Sequence, residues 1–342
     1  MKKIGVGIVG FGFSSTTFHI PLLQTIEEYD IRAIVSSKEE VVKETLPNVQ
    51  VEATIGGLVK RDDIDLVVIT SPNTTHFPFV KEAIQHGKHV VVEKPFVVSV
   101  EEGTELISLA KKHHVILSVY HNRRFDNDFL TIKKLIEEKR IGNIYAYEAH
   151  FDRFRPNVRD RWREKNLPGS GILYDLGSHL IDQALLLFGK PDRIYADVVT
   201  QRPGAEIDDY FHLVLHYGVK RISLHSSSYV KHAGPHFIVH GDKGSIVKYG
   251  MDSQEKQLKS GMKPGDIGYG EDQENQFAIL ETEEKTERIQ TEVGCYEQYY
   301  KGIRDSIMHG EHPPVTAEEG LEVIRIIESA MESSRTGRVI SL

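Results

Sequence analysis

The chain has 342 residues, 39% hydrophobic and 27% charged, the make-up of an ordinary globular protein with enough length for two cores. A formal net charge of -8 with no basic run excludes a general nucleic-acid binder. Cys295 is the only cysteine, so no intrachain disulfide and no cysteine-held zinc or iron–sulfur site forms, and no apolar run approaches a membrane span; a cytoplasmic protein is expected.

Ile4 to Val9 reads as a first strand, because its apolar part is too short and too broken by glycine for a signal peptide. It runs into Gly10-Phe11-Gly12-Phe13-Ser14-Ser15 and then a helix-like stretch from Thr17 to Ile26. Strand, glycine turn and helix are the setting of a dinucleotide site. Gly10 permits the tight turn, Gly12 lets the backbone approach the pyrophosphate, and Phe13 beside them counts among the cofactor contacts. Ser15 stands where that fingerprint has its third glycine, and is small enough to keep the helix against the strand. A second strand, Ile31 to Val35, ends in Ser36-Ser37-Lys38 instead of the acid that would hold an unmodified adenosine ribose. Two hydroxyls and a lysine suit a 2′-phosphate, so NADP(H) is expected to be preferred, with NAD(H) possible. The alternative is a helix cap beside a solvated lysine.

Asp65 to Thr70 is a further buried strand. The loop after it, Ser71 to His76, directs Pro72, Asn73 and His76 toward the cofactor; for His76 the alternative is capping of the next helix, which ends at Gly87. His89-Val90-Val91-Val92 is a β-branched run, as in a strand buried on both faces, and it stops at Glu93-Lys94-Pro95. Ligands in an open α/β sheet sit beyond the carboxyl ends of the strands, so Lys94 stands at the rim of a crevice, and Pro95 makes the chain turn there. A helix from Val100 to His113 and a strand from Val115 to Val119 lead to Tyr120-His121-Asn122-Arg123-Arg124. This alternation predicts a doubly wound parallel sheet, a Rossmann domain over residues 1–121.

The pattern then changes, and residues 122–342 are expected to form an α+β substrate-binding and oligomerisation domain. A helix over Asp126–Lys139 precedes strands at Ile144–Phe154, Arg193–Thr200, Tyr210–Tyr217, Arg221–Ser228, His236–His240 and Gly244–Tyr249. Their alternating hydrophobicity predicts an open, mainly antiparallel sheet with helices. One broad face of such a sheet must be covered, by helices or by another subunit, so a homo-dimer or tetramer through it is expected. Gln254 to Asn275 reads as loop. Two helices, Glu297–His309 and Ala317–Ser334, close the chain, the second started by a capping box at Thr316 and Glu319. The helix over Ile172–Gly189 is largely apolar, yet Asp175, His179 and Asp182 fall on one stripe. Buried polar groups need partners, and an imidazole beside a carboxylate is a tunable general base; a structural Asp–His hydrogen bond is the alternative. No metal is expected, since this helix offers no further placed ligand.

Three motifs together, the Gly10-x-Gly12 turn, Glu93-Lys94-Pro95 and Asp175-x-x-x-His179, resemble the glucose–fructose oxidoreductase / inositol dehydrogenase / rhizopine-catabolism (Gfo/Idh/MocA) family across essentially the whole chain. Tyr120 to Phe129, Leu173 to His179 and Val315 to Gly320 are similar to its branch of NADP-dependent scyllo-inositol dehydrogenases. The resemblance implies hydride transfer between a nicotinamide and a CH–OH or C=O carbon of a polyol, cyclitol or sugar. It implies that the nicotinamide lies near Pro72, Asn73, Glu93 and Lys94, with the Lys94-Pro95 bond cis. Lys94 then hydrogen-bonds the reacting oxygen, His179 moves the hydroxyl proton, and Asp175 holds further hydroxyls or tunes that relay. Asn122 contacts substrate or nicotinamide; Trp162 and Arg163 reach the nicotinamide end or serve packing. Other readings stay open: reduction of another sugar ketone, an imine or a C=C bond; an NAD-dependent glycosidase; a non-catalytic NADP(H) sensor.

Overall fold

The computed structural model describes residues 3–342; Met1 and Lys2, with which the first expected domain begins, lie outside the described residues. The chain divides by compactness into two units, Met1–Asn122 with Gln254–Tyr269 and Cys295–Leu321, and Arg123–Ser253 with Gly270–Gly294 and Glu322–Leu342. Two segments from the second half of the sequence thus cluster with the first unit.

The first unit holds a six-stranded, wholly parallel sheet: β1 (Ile4–Val9), β2 (Tyr29–Val35), β3 (Gln50–Glu52), β4 (Leu66–Ile69), β5 (His89–Glu93) and β6 (Leu117–Tyr120), in the order β3-β2-β1-β4-β5-β6. The strand order reverses between β1 and β4, which puts the crevice at their carboxyl ends. β1 and β4 are buried along their whole length, as unbroken apolar runs in a sheet covered on both faces should be. Gly7 within β1 is required by packing, for a Cβ there would meet the Leu58 side chain at 2.8 Å. β3 escapes sequence reading because Val51 sits alone between Gln50 and Glu52. Val100–His113 is a helix as expected, capped by the Ser99 hydroxyl, which accepts from the Glu102 N–H. The returning segments carry Tyr296, Tyr299 and Tyr300, all fully buried. The Ser118 hydroxyl donates to Val315 O at 2.6 Å and meets the Tyr299 hydroxyl at 2.7 Å, which ties the helix Glu297–His309 to β6. The capping box is formed: Glu319 N–H donates to Thr316 Oγ1, and Thr316 N–H to the Glu319 carboxylate. Part of the expected loop at Gln254–Asn275 is instead a helix, Gln254–Lys259, and a 3-10 turn begins at Glu274. Lys259, in the last turn of that helix, stands over the Phe13 ring at 4.8 Å.

The second unit is built on nine strands: β7 (Ile144–His150), β8 (Arg193–Val199), β9 (Tyr210–Tyr217), β10 (Lys220–Ser227), β11 (Phe237–Gly241), β12 (Gly244–Lys248), β13 (Ala278–Thr282), β14 (Thr286–Ile289) and β15 (Ile340–Ser341). Their order is β14-β13-β12-β11-β7-β10-β9-β8-β15. Only β7 and β10 pair in parallel; the other neighbours are antiparallel. Alternation puts Tyr147, Ala149, Leu213, Leu215 and Leu224 on a buried face. The opposite face is half-exposed and carries His150, His212, His225 and Tyr195. β13, β14 and β15 were not expected; they are only five, four and two residues long and lie toward the sheet's margins. No helix among the described residues is long and apolar enough to cross a membrane.

Candidate active site

In the first unit, the turn after β1 is shaped by Gly10, whose φ of +102° is open only to glycine at ordinary cost. A Cβ there would also meet Thr70 Oγ1 at 2.9 Å. Gly12 is exposed, and a Cβ on it would meet no atom within 4 Å, so backbone and open space face outward together. The Ser15 hydroxyl accepts from Gly12 N–H and donates to Gly12 O, both at 2.9 Å. The third fingerprint position therefore stitches the turn closed from within, and the following residues, Ser15–His19, wind as a single π-helical turn before α-helix resumes at Ile20–Leu23. Phe13 is 54% exposed, edge-on to Phe18. These residues fit a dinucleotide: an uncrowded glycine turn at the carboxyl end of a central strand, with an exposed aromatic beside it.

At the end of β2, the Ser36 hydroxyl accepts from Lys38 N–H at 3.0 Å, while Ser37 and Lys38 are exposed. That bond closes a serine turn ahead of the helix Glu39–Thr45, whose N-cap position, Lys38, carries no side-chain cap; the helix-cap alternative is not formed, and the exposed pair remains available to a ligand phosphate. At the end of β4, Pro72 is exposed and Asn73 buried in a 3-10 turn. His76 lies with its ring fully buried, Nδ1 2.9 Å from Pro95 O and Nε2 3.0 Å from Ser71 O. Burial holds its pKa below the usual value against those carbonyl contacts. The expectation that His76 faces the cofactor is corrected: its ring has no surface to offer and instead joins the β4 loop to the turn after β5.

Lys94 and Glu93 are half-buried at the end of β5, and the Lys94-Pro95 bond is cis, as the resemblance implied. Glu93 is tied from three directions. One carboxylate oxygen meets Ser14 Oγ and, at 2.9 Å, His19 Nε2; the other accepts from Lys94 N–H at 3.0 Å. Nδ1 of His19 lies 2.5 Å from the Tyr300 hydroxyl, and the His19 ring rests 4.2 Å from that of Tyr120. Burial pushes the Glu93 carboxyl up, but the hydrogen bond and charge of His19, the Ser14 hydroxyl and the Lys94 ammonium outweigh it and bring it down to about 2. Sequence reading missed His19 and Tyr300; they are 281 positions apart, and no local pattern joins them.

In the second unit, the segment carrying Asp175 and His179 begins as a π-helical turn, Leu173–Gly177, and continues as α-helix, Ser178–Phe188. The wider turn breaks the expected single stripe of Asp175, His179 and Asp182. Asp182 belongs elsewhere, in a buried bidentate pair with Arg124 at 2.9 and 2.6 Å. His179 is buried and stacks on Phe151, ring centroids 6.3 Å apart, and the guanidinium groups of Arg123 and Arg153 stand over that Phe151 ring. Asp175 is part-exposed, with Arg153 Nη1 at 3.9 Å and Arg163 Nε at 3.8 Å. It lines a narrow cleft together with Arg155, Arg161, Arg202 and Asp208. Burial pushes the Asp208 carboxyl up to about 6, against N–H donors that include Leu173. Trp162 and Arg163 lie on a 3-10 turn, Trp162–Glu164, with the Arg163 guanidinium 5.0 Å from the Trp162 ring. Arg163 is thus part of the Asp175 cleft, and Arg153 is a functional candidate that sequence reading passed over. Asn122 is buried at the head of a 3-10 turn, Asn122–Phe125.

Both halves of the chain match models of one family. Residues 4–121 match "Oxidoreductase family, NAD-binding Rossmann fold", and residues 133–342 match "Oxidoreductase family, C-terminal alpha/beta domain". The chain belongs to the Gfo/Idh/MocA oxidoreductase family. As a member it is an oxidoreductase with an NAD-binding fold at its N-terminal side. It is 47% identical over 346 aligned positions to scyllo-inositol 2-dehydrogenase (NADP(+)) IolW of Bacillus subtilis, covering 100% of this chain and 97% of that one. It is 45% identical to the oxidoreductase YdgJ of Escherichia coli, covering 97% of each. Among solved structures, the oxidoreductase yvaA of Bacillus subtilis superposes with a TM-score of 0.97 at 47% identity, over 100% of this chain and 99% of that one.

Proposed function

We propose that the protein is an NADP(H)-dependent dehydrogenase that interconverts a secondary alcohol and a ketone on a cyclitol, with scyllo-inositol and its inosose as the pair. The observation that carries this reading is Lys94: a half-buried lysine at the carboxyl end of a central parallel strand, in a turn whose glutamate is tied back by His19 and Ser14. The cyclitol is supported by the name of the Bacillus subtilis relative, similar over the full length of this chain. The preference for NADP(H) is supported by that name and by exposed Ser37 and Lys38 after β2.

When bound at the glycine turn, the nicotinamide cofactor accepts or supplies the hydride. Gly10, Gly12 and Phe13 hold its pyrophosphate side, Ser37 and Lys38 its 2′-phosphate, and Pro72, Asn73 and Glu93 its nicotinamide side. Lys94 donates a hydrogen bond to the reacting oxygen and stabilises alkoxide charge as it develops. His179 takes the hydroxyl proton in oxidation and returns one in reduction, its ring orientation fixed by stacking on Phe151. Asp175 accepts hydrogen bonds from substrate hydroxyls, and Arg153 and Arg163 on either side of it keep its carboxylate aligned. Asn122 contacts the substrate. Trp162 shapes the cleft beside Arg163.

The half-exposed face of the nine-stranded sheet, where Tyr195 is 43% and Val199 39% exposed, is the surface through which a homo-dimer or tetramer forms in this reading. The single cysteine supports a reducing, cytoplasmic setting. Steady-state NADP reduction with a panel of inositols and pyranoses tests the assignment, wild type beside Lys94→Ala and His179→Ala. The expected result is turnover on scyllo-inositol, lowered on the order of 100-fold or more in each variant. No turnover on any polyol, or near-normal turnover in both variants, overturns it.

A further inference from the structure

The outward face of the second unit's sheet carries a cluster that the proposed reaction does not use. His150 on β7 and His225 on β10 are register partners, and His225 is in turn opposite His212 on β9, which is opposite Asp197 on β8. Four polar side chains thus form a row across four neighbouring strands. Asp152 lies just past the end of β7, where the parallel ladder continues through Phe151 N–H to His225 O and Arg153 N–H to Ser227 O. Strand alternation sends Phe151 to the His179 side and Asp152 to the opposite one. There its carboxylate sits between two imidazoles: Oδ1 lies 2.9 Å from His225 Nδ1, and Oδ2 lies 3.5 Å from His150 Nδ1. One donor atom from each of His150, Asp152 and His225 lies within 4.8 Å of the others.

We propose that His150, Asp152 and His225 form a binding site for one divalent late-transition ion of the zinc type, with its fourth position taken by a single water molecule. The donor set is two imidazoles and a carboxylate; the two imidazoles, borderline nitrogen ligands, favour zinc over magnesium or calcium, and a carboxylate oxygen is an accepted third zinc ligand. Ligands at about 2.1 Å from a metal stand at most about 4.2 Å apart, so a small rotation of His150, the most exposed of the three, closes the set. The carboxylate is already oriented, because Ser227 N–H donates to Asp152 Oδ1 at 3.0 Å. Such a support behind a ligand is what a metal site needs. All three donors stand on or directly beside paired strands, which hold them more firmly than loops do. His212, with its ring 5.9 Å from that of His225, and Glu148, 3.6 Å from His150, border the site. The ion would clasp β7 to β10, the one parallel pair in the sheet among the described residues and so the pairing that gains most from a clasp. No donor from a second copy is required.

Cobalt(II) titration of the purified, metal-stripped full chain tests this, because tetrahedral cobalt absorbs far more strongly in the visible than octahedral cobalt. Zinc calorimetry on the same samples counts equivalents. The expected result is one tight equivalent with a tetrahedral cobalt band, displaced by zinc and raising the thermal midpoint. His225→Ala and Asp152→Asn should each weaken it about 100-fold or more, and His150→Ala, at the most exposed donor, repeats the test without disturbing the interior. His240→Ala, at an exposed histidine on β11, serves as the control and should leave the equivalent intact. A wild type without the band, or an equivalent that survives His225→Ala and His150→Ala in samples with unchanged circular dichroism, overturns the proposal.

Discussion

Replacing Glu93 by Gln removes a charge from a buried turn while keeping its shape. The carboxylate serves Ser14 and His19 with one oxygen and Lys94 N–H with the other. A glutamine offers one oxygen and one NH2, so in either flip a donor faces a donor or His19 must change tautomer. The folded carboxyl is lowered from 4.5 to about 2, a shift worth about 3 kcal/mol of stability at pH 7. The sign follows from the direction: a depressed carboxyl pKa stabilises fully above the unfolded value, and the contribution is lost as pH falls through the folded one. The gap between wild type and Glu93→Gln should therefore be about 3 kcal/mol at pH 7, fall to about half of that at pH 3, and close below about pH 2. Urea unfolding followed by circular dichroism at pH 7 and pH 3 measures it. A gap under about 1 kcal/mol at pH 7, or one of the same size at pH 3, would refute the claim that Glu93 is held as a half-buried anion by its hydrogen-bond partners.

Asp182→Ala leaves the buried Arg124 guanidinium without its bidentate partner and should cost about 3–5 kcal/mol, most of it recovered when Arg124→Met is added. A double variant as unstable as the single one, in the same urea series, would contradict that account. Lys38→Ala should raise the KM for NADP on the order of 10-fold and leave that for NAD unchanged, one lost charge contact to a phosphate being worth about 1.4 kcal/mol. Equal effects on the two cofactors would remove Lys38 from the 2′-phosphate site. Arg163→Ala should raise the KM for the polyol, since Asp175 loses a flanking cation; an unchanged KM would place Arg163 outside the substrate cleft.

What the sequence discloses is local. The strand, glycine turn and helix at residues 4–23, the Val90–Val92 run ending at Lys94, and the Thr316/Glu319 box are each written within a few consecutive residues, and each is present. The limits of Val100–His113, Tyr210–Tyr217 and Glu297–His309 follow from periodicity and caps. What escapes depends on distance along the chain or on departures from regular winding. Asp175 looked in line with His179 and Asp182 under ideal α spacing, but Asp175 lies in a π turn; His179 and Asp182 do share the regular helix that follows, yet Asp182 pairs with Arg124, 58 positions away. His76 looked like a ligand because it follows a buried strand, but its two carbonyl contacts are made by folding. The row His150, His225, His212 and Asp197 exists only through strand register, which alternation alone does not reveal.

The central claim is direct hydride exchange between a cyclitol carbon and the nicotinamide. It is tested most directly with scyllo-inositol deuterated at its ring carbons, incubated with the enzyme and NADP, followed by mass analysis of both products. The account predicts one deuterium in each reduced cofactor and one ketone formed per cofactor reduced, with the formation of both products slowed on the order of 100-fold or more when Lys94→Ala is used. Deuterium lost to water, or a substrate changed while the cofactor returns unreduced, would contradict it.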